Sequence, residues 1–432
     1  MSSTTARPLP MKPQTPTQLE KAVESLKPKV ADAFRTRPLS PALSPAPPQS
    51  TSATLRDIAT LFISTRLALI LIGWLAHTYL PTSYGKQVSW SSHLWLDLWG
   101  VWDSGWYMDI AQNGYSTEVF TAQFPEQTNF AFFPLYPLLM KGLGSLINDP
   151  YLAGLFISNS CLLISAYLLY RLVEAEANRN VAKRAVKYLF LYPVSFILSG
   201  VFTESLYLCL SLLCFWLARQ QRWRLASLSG MFLSATRPLG VLILLPLFIE
   251  YLQRPRVKSE AAQQEGFDDK PPLLGWRCLW LLLIPLGLLA FCAYNYHATG
   301  DFLFFKTNQA AWNREFGNPL VVMWEALKVG VSEPSFKKLL EVAFGSTALV
   351  GLTVFYKRIG LAYWLLGVYS LVIPLSSGIA SQPRFTLAVF PLFIILALLS
   401  ERRRWDVGLM VGLGLLQGGL MVFWCTGYGL VI

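Results

Sequence analysis

The stretch Leu225–Leu252, LASLSGMFLSATRPLGVLILLPLFIEYL, sets the topology of this chain. It is almost wholly apolar but too long for one crossing, because a helix covers the hydrocarbon core with about 20 residues, in a range of roughly 17–25. Thr236-Arg237-Pro238-Leu239-Gly240 interrupts it, and Pro and Gly end helices. We read two short helices meeting at a break, each half short for a full crossing. The flanking basic residues agree. An in-and-back path puts Arg56, Arg179/Lys183/Arg184, Arg219/Arg222/Arg224, Arg254/Arg256/Lys258, Lys357/Arg358 and Arg402/Arg403/Arg404 on one side, as the positive-inside rule asks. A single span would strand either Arg219–Arg224 or Arg254–Lys258 on the wrong face.

Working outward, further apolar segments are Asp57–Leu80, Tyr151–Val173, Ala185–Val201, Glu204–Ala218, Trp276–His297, Leu339–Tyr356, Leu361–Ser377, Phe385–Leu399 and Trp405–Cys425. Together they predict an all-α polytopic membrane protein of about eleven spans with a cytoplasmic N-terminus. Residues 1–50 carry PLSPALSPAPPQS and read as a disordered Pro/Ser-rich cytoplasmic tail before a membrane domain over 51–432. Long loops over 81–148 and 298–338 then face outward, and a loop over 253–275 faces the cytoplasm. Loops this long usually carry function.

Composition supports this class. The 432 residues are 53% hydrophobic but only 14% charged, against roughly 25% in an average soluble protein. A soluble globule would need more charge to cover its surface. The net charge of +11 implies no nucleic-acid partner, since cytoplasmic loops of membrane proteins are rich in Lys and Arg. Cys161, Cys209, Cys214, Cys278, Cys292 and Cys425 all lie in apolar runs with no Cys-x-x-Cys pair, against a disulfide framework or a zinc site. With only three histidines, a divalent metal would have to be held by carboxylates, and no metal ligand set is evident.

Leu94–Ala111 reads LWLDLWGVWDSGWYMDIA. Trp95, Trp99, Trp102 and Trp106 share one stripe of a helix, which predicts an interfacial helix on the outer leaflet. Asp103 flanks that stripe, where an apolar surround would raise its basicity. Asp97 and Asp109 lie about 240° round the helix from it, so the three cannot converge from one helix. The alternative is that these aspartates simply solvate the polar side. Asn129–Leu139, NFAFFPLYPLL, holds two prolines and fits a re-entrant or interfacial segment.

The set Trp102-Asp103-Ser104-Gly105-Trp106-Tyr107, Ile110-Ala111, Gly114-Tyr115 and Ala131-Phe132-Phe133-Pro134-Leu135-Tyr136-Pro137 resembles the PIG-V-type mannosyltransferase family. Ser64-Thr65-Arg66, Thr203-Glu204-Ser205-Leu206-Tyr207 and Ala235-Thr236-Arg237 add to the likeness, which runs from about Ile58 to Leu399. The family is typified by the enzyme that adds the second mannose to glycosylphosphatidylinositol. The resemblance implies a class C glycosyltransferase bundle that takes a hexose from a polyprenyl- or dolichyl-phosphate donor. It implies a glycolipid or glycan acceptor on the outward or lumenal side, typically inversion, and a catalytic Asp in the first outward loop. Asp103 matches that position. Asp109 has no such match and is a secondary candidate. The setting would be a bacterial inner membrane or the endoplasmic reticulum.

Such a transfer needs a base for the acceptor hydroxyl and a cation for the departing phosphate, and Arg stays charged better than Lys in a partly apolar place. Arg237, at the hairpin break, is the first candidate cation and Arg384 the second; Lys306 is a third. Snorkelling or helix packing is the competing explanation for the arginines. Glu204, which opens a span, could orient the acceptor or an arginine, but the helix dipole alone also favours an acid there. Trp106, Tyr107 and Tyr115 could stack on a sugar, as an interfacial aromatic belt would also look. Trp312 and Arg314 are further possibilities in the second loop, and Arg66 is expected to pair with a carboxylate inside its span. Two other functions stay open: a lipid or solute transporter using the same arginines, and a noncatalytic subunit of a glycosylation complex.

Overall fold

The structure, a computed structural model, describes residues 50–118, 127–253, 275–312 and 316–431, without the side chains of Ala310 and Trp312. The expected tail over 1–50, save Ser50, nearly all of the loop over 253–275, the Trp312 side chain and Arg314 lie outside the described residues. Among the described residues every regular element is an α- or 3₁₀-helix. Four helices are long and apolar enough to cross a membrane: Thr51–Tyr79, Pro150–Glu176, Trp276–Thr299 and Arg403–Cys425. Leu135–Ile147, Pro238–Gln253 and Leu361–Ser376 are shorter apolar helices. This pattern fits a membrane protein. Outer faces such as Ile63, Leu67 and Leu71 on the first long helix are exposed, which suits contact with lipid rather than water.

Pro150–Glu176 is the central post. Its start is encoded locally: the Asp149 carboxylate accepts from the Leu152 N–H at 3.0 Å, and Pro150 occupies the first turn, where its missing N–H costs nothing. Glu204–Arg219, Leu135–Ile147 and Arg179–Leu191 pack around it, and Pro391–Leu399 packs on Arg179–Leu191.

Breaks in the helices matter more here than the helices. Trp223–Ser234 ends before Ala235-Thr236-Arg237, Arg237 is extended (φ −159°, ψ 153°), and Pro238–Ile243 restarts as a 3₁₀ turn leading into Leu244–Gln253. The two halves fold back so closely that a Cβ on Gly240 would sit 2.2 Å from the Leu233 carbonyl oxygen. Gly287 from the following helix meets the same place, where a Cβ would lie 2.1 Å from the Met231 carbonyl oxygen. The Ser234 hydroxyl seals this junction by donating to the Ile284 carbonyl at 2.6 Å and accepting from the Leu288 N–H at 3.2 Å.

Several expectations are corrected. Ala185–Val201 is not one helix: Arg179–Leu191 stops at Tyr192-Pro193, and Ser195–Ser199 follows as a 3₁₀ turn, because proline lacks the N–H a helix needs. Phe385–Leu399 is likewise divided into Gln382–Thr386 and Pro391–Leu399, each with proline in its first turn. Leu94–Ala111 is not a single interfacial helix. It comprises a turn at Leu94–Asp97, a bend, and a helix at Ser104–Asn113, so its tryptophans form no common stripe: Trp95 is 54% exposed and Trp99 5%. Arg66 pairs with no carboxylate among the described residues. Its guanidinium donates instead to the Ser199 hydroxyl and the Ser195 carbonyl, each at 2.9 Å.

The glycine contacts yield a stability test. Gly240→Ala and Gly287→Ala each force backbone apart and are expected to cost about 1–3 kcal/mol, the usual range for overpacking. The thermal midpoint in detergent should fall for both, and an unchanged midpoint would show that the junction opens without strain.

Candidate functional site

The bend between Leu94–Asp97 and Ser104–Asn113 is built on a buried ion pair. Lys86 Nζ lies 2.9 Å from Asp97 Oδ2 and also donates to the carbonyls of Asp97 (2.7 Å) and Gly100 (3.0 Å). Asp97 Oδ1 accepts from the Trp90 and Ser91 N–H groups at 2.6 and 3.2 Å. Burial pushes the Lys86 ammonium below its usual value, and Asp97 pulls it back up. These bonds fix the carbonyls of a stretch that has no helical partners for them. Trp102 then takes a left-handed backbone (φ 51°), rare for a bulky residue, and its N–H donates to the Gly85 carbonyl at 3.0 Å. Its indole fills the space that a Cβ on Gly85 would need, 2.2 Å from the ring. Asp103 follows directly, at the head of the Ser104–Asn113 helix.

Three distant parts of the chain converge there. Arg384, from Gln382–Thr386, donates through Nη1 to Asp103 Oδ2 and lies with Nε 3.2 Å from Glu204 Oε1. Arg237, from the hairpin break, donates through Nη2 to the same Glu204 oxygen and through Nε to the Thr203 hydroxyl at 2.8 Å. Glu204 is fully buried, and its second oxygen has no hydrogen-bond partner among the described residues. Two carboxylates thus face two guanidiniums, a balanced set in a place where an unpaired charge would be costly. The sequence expectation considered the apolar surround of Asp103; the guanidinium beside it was not anticipated.

This cluster lies on the wall of a cavity of about 1200 Å³. Asp103, Trp106, Tyr107, Arg237, Arg384 and Lys306 all line it. Trp106 stacks on Phe132, with ring centroids 5.4 Å apart and planes 17° apart. Burial raises the Tyr107 phenol well above its usual value, so it acts as a neutral hydrogen-bonding group, 3.3 Å from the Thr203 hydroxyl. Lys306 is exposed and lies 6.0 Å from the Phe316 ring centroid, with no carboxylate partner among the described residues. The second long loop closes on the first through Asn308, whose Nδ2 donates to the Thr128 hydroxyl at 2.6 Å.

Glu204 does not line the cavity but stands behind the two arginines. Asp109 is elsewhere: its carboxylate accepts from Asn129 (2.7 Å) and Asn113 (2.9 Å), clasping the first loop together. Tyr115 likewise donates to the Phe132 carbonyl at 2.7 Å. Lys86 had no place in the sequence reading, Asp97 was weighed there only as an acid unable to meet Asp103 from one helix, and Thr203 stood only as part of a motif. A lysine and an aspartate in a loop look like solvated charges, and only their enclosure reveals the pairing. Among the described residues, no three of His, Cys, Asp and Glu gather as metal ligands.

No family model and no curated protein matches the chain. Among solved structures it is similar to the Archaeoglobus fulgidus oligosaccharyltransferase tethered through a disulfide bond to an acceptor peptide containing the NVT sequon. The TM-score is 0.42 at 12% identity, over 85% of this chain and 55% of that one. The chain thus spans about half the length of that structure.

The Lys86–Asp97 pair carries a test of its own. Lys86→Met leaves a buried carboxylate uncompensated and is expected to lower stability by about 3–5 kcal/mol, whereas Lys86→Met with Asp97→Leu should recover much of the loss. Denaturation of the purified protein, with Asp97→Leu alone completing the cycle, checks this, and a double-variant loss equal to the sum of the two single losses would mean that the pair is not coupled.

Proposed function

We propose that this chain is an integral-membrane glycosyltransferase that moves a hexose, mannose by its motif likeness, from a polyprenyl- or dolichyl-phosphate donor to a glycolipid or glycan acceptor. The observation that carries the reading is the meeting of Asp103, Arg237 and Arg384 on one cavity wall. The chemistry of an inverting transfer asks for that set. The acceptor hydroxyl oxygen attacks the anomeric carbon, Asp103 takes its proton, and the bond from that carbon to the phosphate oxygen breaks with its electron pair left on the phosphate. Arg237 and Arg384 hold the growing phosphate charge, since the planar guanidinium fork matches two phosphate oxygens. Arg384 bridges Asp103 and Glu204 before substrate arrives. When it turns toward a phosphate, Asp103 is released to act as the base. Lys306 offers a further cation from the second loop, and the Trp106–Phe132 stack offers a flat apolar face for a sugar ring.

On this reading the remaining helices complete about eleven spans, with the N-terminus cytoplasmic and the cavity on the outward or lumenal side of a bacterial inner membrane or the endoplasmic reticulum. A carrier would use the same arginines to pass an anionic solute, and the product distinguishes the two.

Purified protein given a panel of polyprenyl-phosphate sugars should yield a glycosylated acceptor by mass spectrometry. Asp103→Asn should lower kcat by about 10²–10⁴-fold in a protein that still folds, with a thermal midpoint lowered because Arg384 loses one of its two carboxylates. Arg237→Ala should cost about 10²–10³-fold, the scale of removing one charge-stabilising group. Full activity of Asp103→Asn removes the proposed base, and uptake of solute with no covalent sugar product makes the protein a carrier.

A further inference from the structure

Residues 192–203 run through the interior as an irregular segment in which all twelve positions are buried. The 3₁₀ turn at Ser195–Ser199 and short-range bonds such as Ser195 N–H to the Tyr192 carbonyl meet part of its backbone, but the segment has no continuous helical ladder, and buried backbone groups left unpaired are costly. Side chains from three separate helices add further partners. Arg66 reaches across from Thr51–Tyr79 with Nε on the Ser199 hydroxyl and Nη2 on the Ser195 carbonyl, each at 2.9 Å. Its guanidinium carbon lies 5.7 and 5.4 Å from the ring centroids of Phe62 and Phe190. Gln417 donates to the carbonyls of Phe190 (2.8 Å) and Tyr192 (3.1 Å) and to the Ser195 hydroxyl (2.7 Å). Asn159 donates to the Ser199 carbonyl at 3.3 Å.

The far end of the same segment touches both halves of the site. The Val201 carbonyl accepts from the Ser104 hydroxyl at 3.2 Å, and the Val201 N–H donates to the Trp99 carbonyl at 3.3 Å. Gly200 allows this approach, since a Cβ there would lie 3.0 Å from the Trp99 carbonyl oxygen. Two residues on, Thr203 and Glu204 hold Arg237 and Arg384.

We infer that residues 192–203 form one anchor shared by the Asp103 turn and the arginine pair, and that Arg66 is a positioning residue which holds that anchor from the opposite end. An arginine buried with no counter-ion among the described residues is an expensive feature in a membrane helix. Its planar fork binds a hydroxyl and a carbonyl together, which neither Lys nor an apolar side chain reproduces. Arg66 touches nothing in the cavity, so its effect passes through the segment. The part of this inference that concerns turnover rests on the glycosyl-transfer reading; the mechanical coupling does not.

The test uses the full chain in detergent with Arg66→Lys, Arg66→Met and the milder Ser199→Ala. Hydrogen exchange followed by mass spectrometry should show amides at 195–203, 99–104 and 236–237 exchanging faster together, at least tenfold in Arg66→Met and less in the other two. Exchange in Phe336–Val354 should not change. In sugar transfer, Arg66→Met should lower kcat about 10- to 100-fold with KM for the acceptor held, as expected of a misplaced reacting pair. Arg66→Lys should recover only part of the rate. Faster exchange confined to 195–199, or spread evenly over the chain, overturns the coupling. An unchanged kcat in Arg66→Met, with wild-type turnover present, overturns the positioning role. Absence of transfer by the wild type counts against the functional reading alone, and the exchange pattern still decides the coupling.

Discussion

Glu204 is a carboxylate fully buried in the protein, and much around it follows from that condition. A buried anion persists only if cations reach it, and here Arg237 and Arg384 both do, from the hairpin break and from the short Gln382–Thr386 helix. Arg384 spans the gap to Asp103, so one guanidinium joins an acid at the head of the Ser104–Asn113 helix to an acid at the head of Glu204–Arg219. The cost of leaving any of the four unpaired is several kcal/mol in an interior of low dielectric, which is a reason for the three chain segments to stay together.

The same economy governs the backbone. Pro193 follows a helix end, Pro238, Pro383 and Pro391 each stand in the first turn of a new helix after a break, and these breaks free carbonyls that must be met inside the bundle. The Tyr192–Thr203 segment is met by Arg66, Gln417 and Asn159, and the Leu98–Trp102 bend by Lys86. Polar side chains that sit oddly in apolar helices are thus explained by the irregular backbone beside them. Irregular segments are also where functional groups gather, because a regular helix hides its own N–H and C=O groups and aims its side chains at a fixed pitch. Asp103, Arg237 and Arg384 each lie beside such an interruption.

Part of this was legible in the residues. Prolines and glycines mark local chain geometry, so the break at Thr236–Gly240 could be read from Leu225–Leu252 alone. Rarity marks cost, so arginines in apolar surroundings stood out as groups needing partners. The division of Ala185–Val201 at Pro193 was readable by the same rule but was masked by a continuous apolar run. The tryptophan spacing in Leu94–Ala111 misled for a different reason. Helical periodicity is a statement about a regular backbone, and Trp102 leaves that backbone at a positive φ because Gly85 and the Lys86–Asp97 pair hold it there. Nothing within Leu94–Ala111 announces a constraint imposed from outside it.

The amino-acid sequence by itself determined the apolar character that fits a membrane protein, the helical class, the break at Thr236–Gly240 and the small set of acids and arginines from which a site could be made. All of these depend on composition and short-range stereochemistry. Tertiary structure alone decided that Arg384 answers Asp103, that Glu204 serves two arginines, that Asp109 is spent on clasping a loop, and that Arg66 holds a segment rather than a carboxylate. Pairings of this kind join residues far apart in the chain, and their energies depend on how completely water is excluded once the helices pack. No local pattern of residues records that exclusion.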